Sequence, residues 1–247
     1  MGMPLEGIRV VELGAFVFGP HTACHLGDMG ADVIKIEHPA GGDPGRGVTT
    51  RMVSIAGTNY NYVFEQDNRN KRSVALDLGQ ATGREIAHKL IEKADVFVSN
   101  LQAQILKKLG LDYETLAKIN PRLIYAFSSG WDMCGPDKDA PAFDIVVFAR
   151  SGLAAIMSEP GYPPPTLRSG AGDHVAALNL AFGIMLALFH RQKTGQGQMV
   201  HASLLGTLIE VGSLNLQDCL SSGRDVPIMA RKSAANPLWN YYRTRGR

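Results

Sequence analysis

The stretch Ile8-Arg9-Val10-Val11-Glu12-Leu13-Gly14, followed after Pro20 by a helix-like segment and then by Asp32-Val33-Ile34-Lys35-Ile36-Glu37, decides the fold class. Ile8 to Leu13 is a short β-branched run closed by a glycine. His21 to Met29 reads as a helix stopped at Gly30, where the left-handed backbone that ends helices costs least. The second apolar run follows at once and stops at Pro39. Two strands joined through a helix run parallel, so residues 8–37 read as a β-α-β unit. The chain is accordingly expected to be an α/β protein built on a parallel sheet flanked by helices.

Outward from that unit the alternation continues. Residues 40–47 read as a loop rich in glycine and proline. The polar stretch Gln66 to Ser73 leads into an expected strand over Val74–Leu78, and Thr82 to Lys93 carries Ile86 and Leu90 at helical spacing. Ala94 to Asn100 is a buried strand, Leu101 to Leu109 a helix stopped by Gly110, Tyr113 to Ile119 a second helix, and Leu123 to Phe127 a further strand. Val175 to Arg191 is apolar nearly all round, the pattern of a buried helix. After the turn at 193–198, Met199 begins an apolar run read as helix to about Leu220, and the end, Asn236 to Arg247, reads as a strand entering a turn. No internal repeat is present.

The 247 residues, 45% hydrophobic and 19% charged, suffice for a sizeable core. A formal charge of +2 provides no global field for a polyanion, so nucleic acid is not an expected partner. Cys24, Cys134 and Cys219 are odd in number, far apart and without a Cys-x-x-Cys pair, which argues for a reducing cytoplasm over a disulfide framework. No basic-then-apolar leader and no run of about eighteen apolar residues is found, so no membrane partner is expected.

His21, Cys24 and His25 lie within one turn, but a third ligand is missing from the neighbourhood and no metal is expected. Gly14 and Gly19 follow a strand as a dinucleotide-binding turn does, yet Gly-x-Gly-x-x-Gly and the P-loop lysine motif are absent. Lys35, His38, Arg46, Lys71, Arg72 and Lys108 sit at strand ends or beside them, and with Asn100 they form a candidate cluster for a phosphorylated ligand, since strand carboxyl ends meet ligands in open α/β sheets. Asp173, in Gly170-Ala171-Gly172-Asp173-His174, admits two readings: a carboxylate capping the helix that follows, or a carboxylate nucleophile.

Seven blocks in order carry a family resemblance: residues 5–13 with Gly19-Pro20, 30–37, Asn70-Lys71-Arg72-Ser73, Ala94-Asp95-Val96 with Asn100, 120–124, Gly172-Asp173 and 193–198. In these the chain resembles the class III CoA-transferases, the family of formyl-CoA transferase and carnitine CoA-transferase, whose relatives include the α-methylacyl-CoA racemases. The resemblance implies a Rossmann-like large domain over 1–222, with 223–247 as linker and start of a smaller domain. It implies that Asp173 is the nucleophile, ionised at neutral pH as an unperturbed aspartate is, which attacks an acyl-CoA to give an aspartyl-acyl anhydride and then an aspartyl-CoA thioester. Coenzyme A thioester is thus a substrate, a carboxylic acid the acceptor, no tightly bound cofactor is implied, and the full-length relatives form interlocked homodimers. Positions matching CoA-contacting segments are Ala15, Phe16, Val17, His38, Lys71, Arg72, Asn100, Leu101, Lys108, Leu109 and Phe143. Racemisation at C2 of an acyl-CoA is the alternative within the family, but Phe143-Asp144 stands where a histidine-aspartate pair is needed, and a phenyl ring abstracts no proton. A CoA-binding module without turnover is the alternative outside catalysis.

Overall fold

The computed structural model describes residues 2–47, 60–167 and 170–228, and after these, residues 230, 232, 234, 236–238 and 240–245. Six strands form one sheet: β1 (Arg9–Leu13), β2 (Asp32–Glu37), β3 (Lys71–Ala75), β4 (Val96–Ser99), β5 (Ile124–Ser129) and β6 (Gln198–Ser203), in the order β3-β2-β1-β4-β5-β6. Every neighbouring pair is parallel. The expected α/β architecture with a parallel sheet flanked by helices is what the chain adopts. Both sheet faces are covered, as a parallel sheet requires. Val10, Val33, Val96, Val98, Ile124 and Ala126 point into one core layer, and Val11, Ile36, Phe97 and Tyr125 into the other, so neighbouring side chains of a strand serve opposite faces.

The first layer is built by α1 (Phe18–Asp28), α6 (Asp144–Arg150), α7 (Leu153–Ile156), α8 (Ala171–Thr194) and α9 (Leu204–Val211). The second is built by α3 (Ala81–Glu92), α4 (Ala103–Leu109) and α5 (Tyr113–Ile119). Local signals set several boundaries. Gly110 ends α4 in the left-handed region at φ 69°, and Asp112 caps α5 by accepting from the Thr115 amide at 3.1 Å.

Five expectations change. The third strand lies at Lys71–Ala75, three residues earlier than the apolar run indicates, because it is an edge strand whose register is set by pairing with β2; Leu76 and Leu78 pack under the sheet just beyond it. A helix, α2 (Tyr62–Asn68), precedes it where only a polar stretch was read. Residues 198–203 form β6 and not the start of a helix, which is confined to α9 and α10 (Ser213–Ser222); a short apolar run does not by itself distinguish the two. No strand occurs among the described residues after Ser203.

The last change concerns α8. Ala176, Ala177, Leu180, Ile184 and Ala187 pack on the sheet, whereas Leu178, Phe182, Leu186 and Phe189 on the opposite face are each more than half exposed. The helix expected to be buried all round is buried on one side. By length and composition it also meets the measure of a membrane-crossing segment, which the sequence reading had found nowhere in the chain, although its inner face is part of the protein core.

Candidate active site

The strand order reverses direction between β1 and β4, and in open α/β sheets that crevice is where ligands bind. Asn100, just past β4, clamps the loop after β1: its side chain accepts from the Ala15 amide at 2.9 Å and donates to the Ala15 carbonyl at 2.8 Å. Gly14 and Gly19 are explained by this clamp, since a Cβ on either would lie 3.0 or 2.9 Å from the Asn100 amide oxygen. Beyond the clamp Phe16 adopts φ 61°, a left-handed backbone that costs a non-glycine residue of order 1–3 kcal/mol. Its amide donates to Asp43 at 3.1 Å.

Asp43 belongs to a buried run of charge. Lys35 lies 2.8 Å from Asp43 and 2.6 Å from Glu12, and the other oxygen of Glu12 lies 2.7 Å from Lys71. Lys71 also donates to the Pro20 and Asp67 carbonyls and to the Asn68 side chain. Its ammonium is therefore saturated inside the protein, and burial lowers its pKa.

Around the crevice lies a cavity of about 500 Å³, lined by Phe16, Val17, Phe18, Tyr62, Val63, Phe64, Asn100, Phe143, Ile145 and Leu167, with the carboxyls of Asp67, Asp144 and Asp173 and the imidazole of His174. Phe16 and Phe143 stand edge to face at its rim, ring centroids 6.4 Å apart. Asp173 occupies the first turn of α8 after Gly170, whose φ of 73° turns the chain into the helix. The capping reading of Asp173 is not realised: the Gly172 amide donates instead to Asp144, 3.2 Å away, from the start of α6. Burial raises the Asp173 carboxyl to about 7, with the Asp144 charge adding to the rise and His174 opposing it. The expectation of an unperturbed, fully ionised aspartate is thereby corrected.

His174 Nε2 donates to Asp67 Oδ1, 3.0 Å away, and His21 Nδ1 lies 2.8 Å from the same oxygen. His21 packs against His25 on its other side, with centroids 4.3 Å apart. These three ligand-type atoms of His21, Asp67 and His174 lie within 4.8 Å of one another. Both imidazoles converge on a single carboxylate oxygen, and Asp67 and His174 are the further ligand-type groups that the sequence did not place beside His21.

Of the positions singled out in the sequence, Phe16, Val17, Asn100, Phe143 and Asp173 come together at the cavity. The others do not. Lys71 is consumed by Glu12, and Arg72 pairs with Asp32 at the opposite end of the strands, in a shallow depression with Arg9, Lys89 and Lys93. His38 is exposed and accepts from the Ala40 amide, Leu101 and Leu109 pack on the second core layer, and Lys108 is exposed on α4. The expected basic cluster is not assembled, because Lys35, Arg46, Lys71 and Arg72 each have a carboxylate partner. Sequence reading missed Asp67 and His174. The signal was slight, a histidine directly after Asp173, and its partner lies 107 residues away.

A family model for CoA-transferase family III matches residues 5–247. The chain belongs to that family. This CoA-transferase family III chain is 39% identical over 242 residues to (R)-2-hydroxy-4-methylpentanoate CoA-transferase of Clostridioides difficile, a match covering 98% of this chain and 60% of the relative. It is also 39% identical to cinnamoyl-CoA:phenyllactate CoA-transferase of Clostridium sporogenes, over 81% of this chain and 48% of the relative. The crystal structure of a CaiB/BaiF family protein from Brucella suis aligns with a TM-score of 0.86 at 33% identity, covering 93% of this chain and 60% of that one. The chain spans about half to three-fifths of the length of these relatives.

Proposed function

We propose that this chain carries the site at which CoA moves from an acyl-CoA thioester to a carboxylic acid, with Asp173 as the nucleophile. The observation that supports it is the placement of one carboxyl group, raised to about 7, in a largely apolar cavity at the carboxyl ends of β1 and β4. A pKa near the working pH leaves a substantial ionised fraction while keeping the carboxylate poorly hydrated, and both favour attack.

In the first step an Asp173 oxygen attacks the thioester carbonyl and the carbon–sulfur bond breaks, giving the aspartyl-acyl anhydride and CoA thiolate. The thiolate then attacks the Asp173 carbonyl and releases the donor acid, leaving an aspartyl-CoA thioester. An acceptor carboxylate attacks that thioester, releasing thiolate and forming a new anhydride; thiolate attack on its acyl carbonyl frees the new acyl-CoA and restores Asp173. Electrons and atoms balance without any redox partner. The apolar walls Val17, Phe64, Phe143 and Ile145 keep water from the anhydride, whose hydrolysis would abort the exchange. Phe143 supplies no base, which favours transfer over racemisation.

The exposed stripe Leu178, Phe182, Leu186 and Phe189 supports the further proposal of a homodimer, because apolar patches of this kind are normally covered. Three free cysteines, Cys24, Cys134 and Cys219, support a reducing cytoplasm as its location.

Intact mass of the chain and of Asp173→Ala, after incubation with a panel of acyl-CoA thioesters and hydroxylamine trapping, tests the mechanism. An adduct on the wild type that the variant lacks is the expected result. CoA binding without any adduct would instead establish a binding module.

A further inference from the structure

The three rings His25, His21 and His174 stand in a row, adjacent centroids 4.3 and 4.2 Å apart, with one carboxylate, Asp67, against two of them. Asp67 is 1% exposed in its side chain, and its Oδ2 has no hydrogen-bond partner among the described residues. A buried carboxylate in that position is costly unless a cation faces it. The nearest lysine, Lys71, reaches only the Asp67 backbone carbonyl and is already engaged with Glu12. The countercharge must therefore come from an imidazole on Oδ1. His21 is 7% exposed and His174 36%, so the proton rests at lower cost on His174, which reaches the cavity and its solvent.

We propose that His21–Asp67–His174 is a charge-holding chain that keeps an imidazolium at the cavity wall beside Asp173, so that the nucleophile ionises in surroundings that otherwise disfavour its charge. This role presupposes Asp173 as the nucleophile. His174 is then a positioning residue, acting through the carboxylate next to it. The groups facing it are Asp67 from α2, His21 and behind it His25 from α1, Asp144 from α6, and Asp173 on its own helix. Their balance favours the cation. The hydrogen bond to Asp67 raises His174, and the charges of Asp67, Asp173 and Asp144 act in the same direction against burial. Burial would raise Asp67, yet its hydrogen bonds with His174 and His21 outweigh that and hold it below the usual carboxylate range. His25 is pushed down by burial and by His21, so it does not compete for the proton.

Labelling of Asp173 by a water-soluble carbodiimide and an amine, followed by peptide mass spectrometry across pH, reads its ionisation without requiring turnover. The wild-type midpoint is expected near 7. In His174→Gln it is expected to rise by about 1 pH unit, the scale of losing one nearby opposite charge, and His174→Lys is expected to bring it back. A folded His174→Gln variant with an unmoved midpoint overturns the role. Long-range proton–nitrogen NMR of the wild type decides independently of any variant: His174 is expected to be an imidazolium at pH 7, and a neutral ring there overturns the role. Adduct formation with acyl-CoA is followed in parallel. No adduct on wild type, with the midpoint shift present, removes the transfer reading and leaves the electrostatic role standing. Wild-type adduct rates in His174→Gln with an unmoved midpoint do the reverse.

Discussion

Asp144 reaches from the first turn of α6 to accept the Gly172 amide at 3.2 Å, one residue before Asp173. A side chain at Gly172 would bring its Cβ to 2.3 Å from the other Asp144 oxygen, so only glycine admits this contact. The contact ties two helices together at the site and sets a second carboxylate against Asp173. That carboxylate raises Asp173, second only to burial.

Asp144→Asn keeps the shape and the hydrogen bond but removes the charge. The pH midpoint for adduct formation at Asp173 should fall by about 1 unit below the wild-type value, because losing a like charge favours the ionised form. Rates of adduct formation measured between pH 5 and 9, a range chosen to bracket the raised carboxyl, check it. An upward shift would show that Asp144 is itself protonated there and donates to Asp173.

The same raised carboxyl has a consequence for stability. A carboxyl that ionises near 7 when folded and near 3.9 when unfolded binds more protons in the native state between those values. Stability is then fully present below the unfolded value and is lost as pH rises through the folded one. Asp173→Asn should therefore be more stable than wild type at pH 8, by about 4 kcal/mol at roughly 1.4 kcal/mol per pH unit between the two values, with the gain largely gone at pH 4. Thermal melts at the two pH values decide it.

Glu12 holds two buried lysines at once, Lys35 at 2.6 Å and Lys71 at 2.7 Å. Glu12→Gln would leave Lys71 without its carboxylate and Lys35 with Asp43 alone, and breaking a buried pair from one side costs about 3–5 kcal/mol. Urea unfolding should show a lower midpoint with an unchanged slope. A neutral result would mean that the lysines shed their protons or that water reaches them.

Phe182 is 63% exposed at the centre of the apolar stripe on α8. If two copies cover that face, sedimentation should show concentration-dependent association of the wild type, and Phe182→Glu should weaken it at least tenfold, since a charge would have to be desolvated. Equal association in both would place the interface elsewhere.

The β-α-β opening, the strands β4 and β5, the helices α3 to α5 with their stop at Gly110, and the place of Asp173 at the start of a helix were all legible in the amino-acid order. Each rests on something local: a period of two or 3.6, a capping residue, a glycine after a helix, or a matched motif. Partnership between distant side chains is not local. Lys71 and Arg72 are adjacent, yet one is swallowed by Glu12 and the other lies at the far edge with Asp32, so what looked like a phosphate cluster is two internal ion pairs. The edge position of β3 decided its register, and the sheet's size decided which half of α8 is covered. His21, Asp67 and His174 meet only because α1, α2 and α8 converge at the reversal of strand order. That convergence also buries Asp173 and moves its ionisation to neutral pH, a property of its surroundings and of no residue taken alone.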